Sequence, residues 1–107
     1  MRGGGGIIAM PTYIAFHEHR KEGAQSIKQL PERLEQAKEI ANSMDCDVEY
    51  YLTNGRYDSV VVVDAPDERT AKQLALGVTS AGTVSTEFQR AFRESEVEEL
   101  TEGVPEA

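Results

Sequence analysis

His17 and His19 stand two apart in the segment Thr12 to His19, a spacing that puts both imidazoles on one side of an extended chain. Such a pair can offer two nitrogen ligands to a metal, or one imidazole that exchanges protons near neutral pH. A metal site needs three or four converging ligands with partners behind them, so Glu49 and Glu87 would have to complete it from neighbouring strands. The simpler reading is a half-buried or solvated histidine pair, and neither a metal nor a cofactor is expected. Tyr13, Tyr51 and Tyr57 can line a small-molecule pocket, their rings supplying area and their hydroxyls specificity, or can simply pack an interface. Asp58 sits at a hairpin mouth, where a carboxylate that accepts from backbone N–H groups would lock the turn. The chain has no Ser-His-Asp order, Walker sequence, Rossmann glycine pattern, C-x-x-C or H-E-x-x-H, so the common mechanisms have no footing.

The elements that position these residues follow from periodicity. Thr12 to His19 alternates as a strand. Ile27, Leu30, Leu34, Ala37, Ala41 and Met44 recur at helical spacing, and Pro31, tolerated only in a first turn, predicts a short turn followed by a helix from Pro31 to about Ser43. Asp47 to Thr53 alternates again, and Asn54-Gly55 predicts a tight type I′ hairpin into the strand Val60 to Val63. Asp67 is a natural N-cap for a helix carrying Ala71, Leu74, Ala75 and Val78 inward, which Gly82 ends as a left-handed residue. Val84 to Phe92 is a last strand. Ser95 to Glu98 reads as a capping box opening a short acidic helix that stops near Gly103.

The order β-α-β-β-α-β is the ferredoxin-like pattern: an α+β sandwich of a four-stranded antiparallel sheet with two helices on one face. By parity the helices are expected on the side of Ile14 and Phe16, together with Asp58, Val60 and Val62. The opposite, open face would then present Tyr13, Ala15, His17, Glu49, Tyr51, Tyr57, Ser59, Val61, Val63, Glu87 and Gln89. Val60 to Val63 is apolar without interruption, whereas a strand with one wet face should alternate, so something must cover each side. One small domain cannot supply both covers. A second copy of the chain is the expected partner, and a ligand site on the open face would be built from Tyr13, His17, Glu49, Tyr51, Ser59 and Gln89.

Met10-Pro-Thr-Tyr-Ile14, Pro31-Glu-Arg33, Tyr51-Leu-Thr-Asn-Gly-Arg-Tyr-Asp58, Ala65-Pro-Asp67 and Arg90-Ala-Phe92 together resemble the GYD family, whose name comes from the motif present here as Gly55-Arg-Tyr57-Asp58. The resemblance runs from Met10 to Phe92. It implies a dimeric α+β barrel, in which two ferredoxin-like sheets pack face to face, and no established activity. His17-Glu-His-Arg20 and Met44-Asp-Cys46 depart from the family pattern, in place of a polar loop start and a glycine-rich turn.

The 107 residues carry 19 acidic and 11 basic side chains, a net charge of −8, which repels duplex nucleic acid and anionic membrane. Few lysines and many glutamates suit either a salt-adapted or an ordinary acidic protein. Cys46, the single cysteine, cannot form an intrachain disulfide, and its flanking aspartates disfavour a thiolate, so it reads as an inert loop residue. No stretch reaches transmembrane length, and a cytoplasmic location is expected. Gly3 to Gly6 mark residues 1–9 as a flexible leader, or Met10 as the true start; residues 10–93 form the domain and residues 94–107 an acidic helical tail. The functional expectation is a homo-oligomeric module, structural or binding a small organic ligand. The alternative is a cofactor-free enzyme, monooxygenase- or isomerase-like, with His17 moving a proton on a small organic acid or phenol in a cavity on the open sheet face.

Overall fold

Alternating segments pair and helical segments cap them as their residues require. A computed structural model describes residues 10–106, so the expected leader over residues 1–9 lies outside the described residues. The elements are β1 (Thr12–His19), α1 (Lys21–Gln25), one 3-10 turn (Ile27–Gln29), α2 (Leu30–Ser43), β2 (Asp47–Leu52), β3 (Ser59–Asp64), α3 (Glu68–Ser80), β4 (Val84–Ala91) and α4 (Glu94–Glu102). All pairings are antiparallel, in the order β2-β3-β1-β4. This is the ferredoxin-like α+β arrangement, with the two most apolar strands at the centre.

Local chemistry sets the boundaries. Pro31 lies in the first turn of α2, Asp67 accepts the Thr70 N–H at 2.8 Å to start α3, and Gly82 follows α3 with φ +83°. Two expectations fail. Asn54-Gly55 makes no two-residue type I′ turn, since β2 stops at Leu52, β3 begins at Ser59 and Asn54 is not among the residues with positive φ. A longer loop wins because its own polar groups close it: the Thr53 N–H donates to the Asp58 carbonyl at 3.0 Å, and the Thr53 hydroxyl to the Tyr57 carbonyl at 2.7 Å. The capping box expected at Ser95 and Glu98 forms two residues earlier, where Arg93 is the N-cap and its N–H donates to the Glu96 carboxylate at 2.9 Å.

The larger correction concerns the two faces of the sheet. Ala41 of α2 and Ala71 and Leu74 of α3 pack with Tyr13, Cys46, Val63 and Ala65. The helices therefore cover Tyr13, Ala15, His17, Ser59, Val61 and Val63, the face expected to be open. Register puts Ile14 beside Val62 and Phe16 beside Val60 on the other side, away from the helices α2 and α3. Parity groups the residues of each face but does not say which face the helices take, because both sides of β3 are apolar, and the small residues Ala15 and Ser59 lie beneath the helices. Cys46, expected in a loop, is a core residue 1% exposed, and burial followed by Asp45 raises its thiol pKa, so the inert reading keeps its direction with a different leading cause.

α4 stands apart from this sandwich. Arg93 ties its start to the open-face side, donating to Thr12 Oγ1 at 3.1 Å and Asp64 Oδ2 at 2.7 Å. Beyond that anchor Val97, Leu100 and Val104 remain exposed. The radius of gyration is 15.9 Å, where about 13 Å is expected of a compact chain of this size.

Candidate functional site

α2 lies over β2 and α3 over β4, so the centre of the sheet is left between them as the floor of a cavity. Its volume is about 390 Å³, with Ala15, Val61 and Phe88 below and Leu34, Leu74 and Val78 among the residues above. Across its floor the register sets Ser59, His17 and Thr86 side by side on β3, β1 and β4. Polar atoms in such a row must find partners. Thr86 Oγ1 has one, the Thr79 hydroxyl at 3.3 Å. Ser59 is fully buried and its Oγ has no hydrogen-bond partner among the described residues.

His17 is 7% exposed, and burial, followed by the charge of neighbouring His19, holds its pKa below the ordinary histidine value. Arg33 and Lys38 of α2, His19 of β1 and Tyr50 of β2 also line the cavity, while the lining from α3, β3 and β4 carries no other titratable group. The neutral imidazole is thus favoured in the folded chain. Its contribution to stability is complete above the unfolded-state pKa of about 6.5 and is lost as pH falls through the lower folded value. Melting temperature is expected to drop between pH 7.5 and 5.5, and His17→Gln to flatten that drop. Parallel slopes for the two proteins would remove His17 as its source.

The open face carries a second group of residues. The Tyr57 ring lies 5.0 Å from that of Phe16, and its hydroxyl donates to Glu87 Oε1 at 2.6 Å. Gln89 donates to the other Glu87 oxygen at 3.0 Å. Tyr57 and Gln89 together hold Glu87 below the usual carboxylate range, with the Tyr57 bond as the larger cause. Asp58 accepts the His19 N–H at 2.8 Å. Gly55, Tyr57 and Asp58 accordingly have structural tasks: a positive φ at the loop tip, a ring folded onto β1, and a carboxylate that closes the loop on β1. Asp58→Ala is expected to lower stability by roughly 1 kcal/mol in urea unfolding, the size of one such bond; an unchanged midpoint would show that the loop holds without it.

The six residues expected to converge are divided between the faces. His17 and Ser59 meet at the cavity floor, whereas Tyr13 lies beyond the cavity, stacked on Phe88 at 5.2 Å. Glu49, Tyr51 and Gln89 are on the opposite, open side, where Tyr51 donates to Glu49 Oε2 at 3.2 Å. Glu49 and Glu87 consequently lie across the sheet from the histidine pair, and no group of three or more His, Cys, Asp or Glu among the described residues could hold a metal ion. Thr86 was not foreseen as part of the row. Its signal is a threonine between Val84 and Phe88 in an alternating strand.

No helix among the described residues is long and apolar enough to cross a membrane. The family model for the GYD domain matches residues 13–101, a span that takes in most of α4. The chain is 34% identical over 82 residues to the glutamine synthetase and cystathionine beta-lyase binding protein of Thermus thermophilus, covering 72% of this chain and 83% of that protein. No solved structure matches it.

Proposed function

The chain belongs to the GYD domain family, and from that premise we propose that it is a homodimeric protein-binding module of the cytoplasm, its two copies joined through their open sheet faces. The observation that carries this reading is the apolar centre of that face, half-buried within one copy: Ile14, Phe16, Val60 and Val62, on the side away from the helices. Full burial of such a side chain is worth about 1.5 to 3 kcal/mol, of which a second copy would supply the remaining part by two-fold symmetry. This is the face-to-face packing of a dimeric α+β barrel.

α4 fits the same assembly. It is anchored on the open-face side by the Arg93 and Asp64 pair, and its apolar residues Val97 and Leu100 are exposed and free to join an interface there. The Thermus thermophilus relative is named for binding two enzymes, which supports docking to other proteins as the work of the dimer. Sedimentation velocity of the full chain at micromolar concentration tests the first half of the proposal, with a dimer expected. A stable monomer would end it. Titration with purified glutamine synthetase and cystathionine beta-lyase from the same source tests the second half, and saturable binding to at least one is expected.

A further inference from the structure

The cavity on the helix side is independent of the dimer reading, because it lies within one copy on the opposite face of the sheet. We propose that it is a binding site for a small, uncharged, largely apolar molecule that presents one hydroxyl or carbonyl group to Ser59 and His17.

Three observations support this. The volume of about 390 Å³ falls within the range of roughly 300 to 1,000 Å³ typical of small-molecule sites. Its walls are mainly aliphatic, with the Phe88 ring on the floor, so most of an occupant must be apolar. The Ser59 hydroxyl, fully buried among the residues that line the cavity, has no partner among the described residues, and a buried hydroxyl left unbonded is costly enough that native proteins rarely keep one.

His17, the cross-strand neighbour of Ser59, lines the same cavity. The two side chains stand about 5 Å apart at Cβ, close enough to grip one oxygen. A hydroxyl on the occupant can donate to one of them and accept from the other, and a carbonyl can accept from both. Burial favours the uncharged imidazole, so this end of the cavity offers no full positive charge to a carboxylate. Arg33, the guanidinium of the lining, is already engaged, donating to the Ser26 carbonyl and hydroxyl at 2.8 Å each, and Lys38 belongs to α2 and not to the row of Ser59, His17 and Thr86 on the sheet. Net recognition therefore favours a neutral head group over an anionic one.

The test uses 1-naphthol, uncharged at pH 7.5, and 1-naphthoate, which has the same ring system with a carboxylate. Titration of each into the full chain is followed by calorimetry and by amide chemical shifts. Saturable binding of 1-naphthol is expected, with shifts centred on Ala15, Ser59, Val61 and Phe88 and an affinity at least about tenfold above that of 1-naphthoate. Ser59→Ala, which removes only the hydroxyl, should weaken 1-naphthol at least about fivefold without lowering the melting temperature, since no protein hydrogen bond is lost. Ala75→Phe, placed to fill the cavity, should abolish binding. Absence of saturable binding below about 1 mM, a preference for the naphthoate, an unaltered affinity in Ser59→Ala, or shifts confined to the open face would each overturn the proposal. Sedimentation of the same samples reports the dimer separately, so loss of either property is distinguishable from loss of the other.

Discussion

Val62→Glu is expected to turn the dimer into a folded monomer. Val62 pairs with Ile14 on β1 and Glu49 on β2, all three on the open face, so in a lone copy the new carboxylate would meet water at no cost to the core. In the dimer the same carboxylate is buried, and two-fold symmetry introduces it twice. An uncompensated buried charge costs about 3 to 5 kcal/mol, so association should weaken by at least a thousandfold. Val63→Glu is the control: Val63 is 4% exposed within the core cluster, and a charge there should unfold the chain rather than dissociate it. Val61, which the sequence reading places at the interface, points instead into the helix-side cavity and would not separate the two effects. The comparison is read by sedimentation velocity together with circular dichroism. A dimer that survives Val62→Glu would move the interface away from the sheet. Because each copy carries a net charge of −8, the wild-type dimer should also tighten as salt screens their mutual repulsion.

The distinction between Val62 and Val63 marks where the sequence stops being legible. Strand and helix positions follow from period and from punctuation by Pro31, Asp67 and Gly82, because each acts through its own backbone chemistry. Strand order follows from the split βαβ pattern. Which side of the sheet receives the helices depends instead on the fit of whole surfaces. Ala15 and Ser59 are small enough to lie under α2 and α3, while Phe16 is committed to Tyr57, folded back from the loop that follows β2. Local alternation is the same either way. The inversion divided the expected site: His17 and Ser59 lie on the helix side, at the cavity, while Glu49, Tyr51 and Gln89 lie on the other side. Ser59 gives no sign in the sequence that its hydroxyl lacks a partner, because that depends on what the helices fail to bring near it.

Gly23 and Gly77 are expected to respond in opposite directions to the same replacement by alanine. Each is a glycine inside a helix, and helix propensity alone would make both substitutions stabilising by about 1 kcal/mol. Around Gly77 an added Cβ meets nothing within 4 Å, so Gly77→Ala should realise most of that gain. Gly23 is buried, and its Cβ would collide with the carbonyl oxygen of Thr83, a backbone atom that cannot swing aside as a side chain could. Relief requires α1 to lift from the turn before β4, which strains the bond from the Arg20 N–H to that same carbonyl at 2.8 Å. Overpacking costs about 1 to 3 kcal/mol and a lost backbone bond about 1 more, so the penalty outweighs the propensity gain. Gly23→Ala should therefore lower stability by roughly 1 to 3 kcal/mol, a fall of several degrees or more in melting temperature for a domain of this size. Thr83 also lines the helix-side cavity, so the same variant should disturb its rim, whereas Gly77→Ala should not alter backbone packing there. Thermal melts of the two variants beside the wild type decide the matter. If Gly23→Ala melts at or above the wild-type temperature, α1 does not pack against the Thr83 carbonyl and the close approach that requires glycine there is absent.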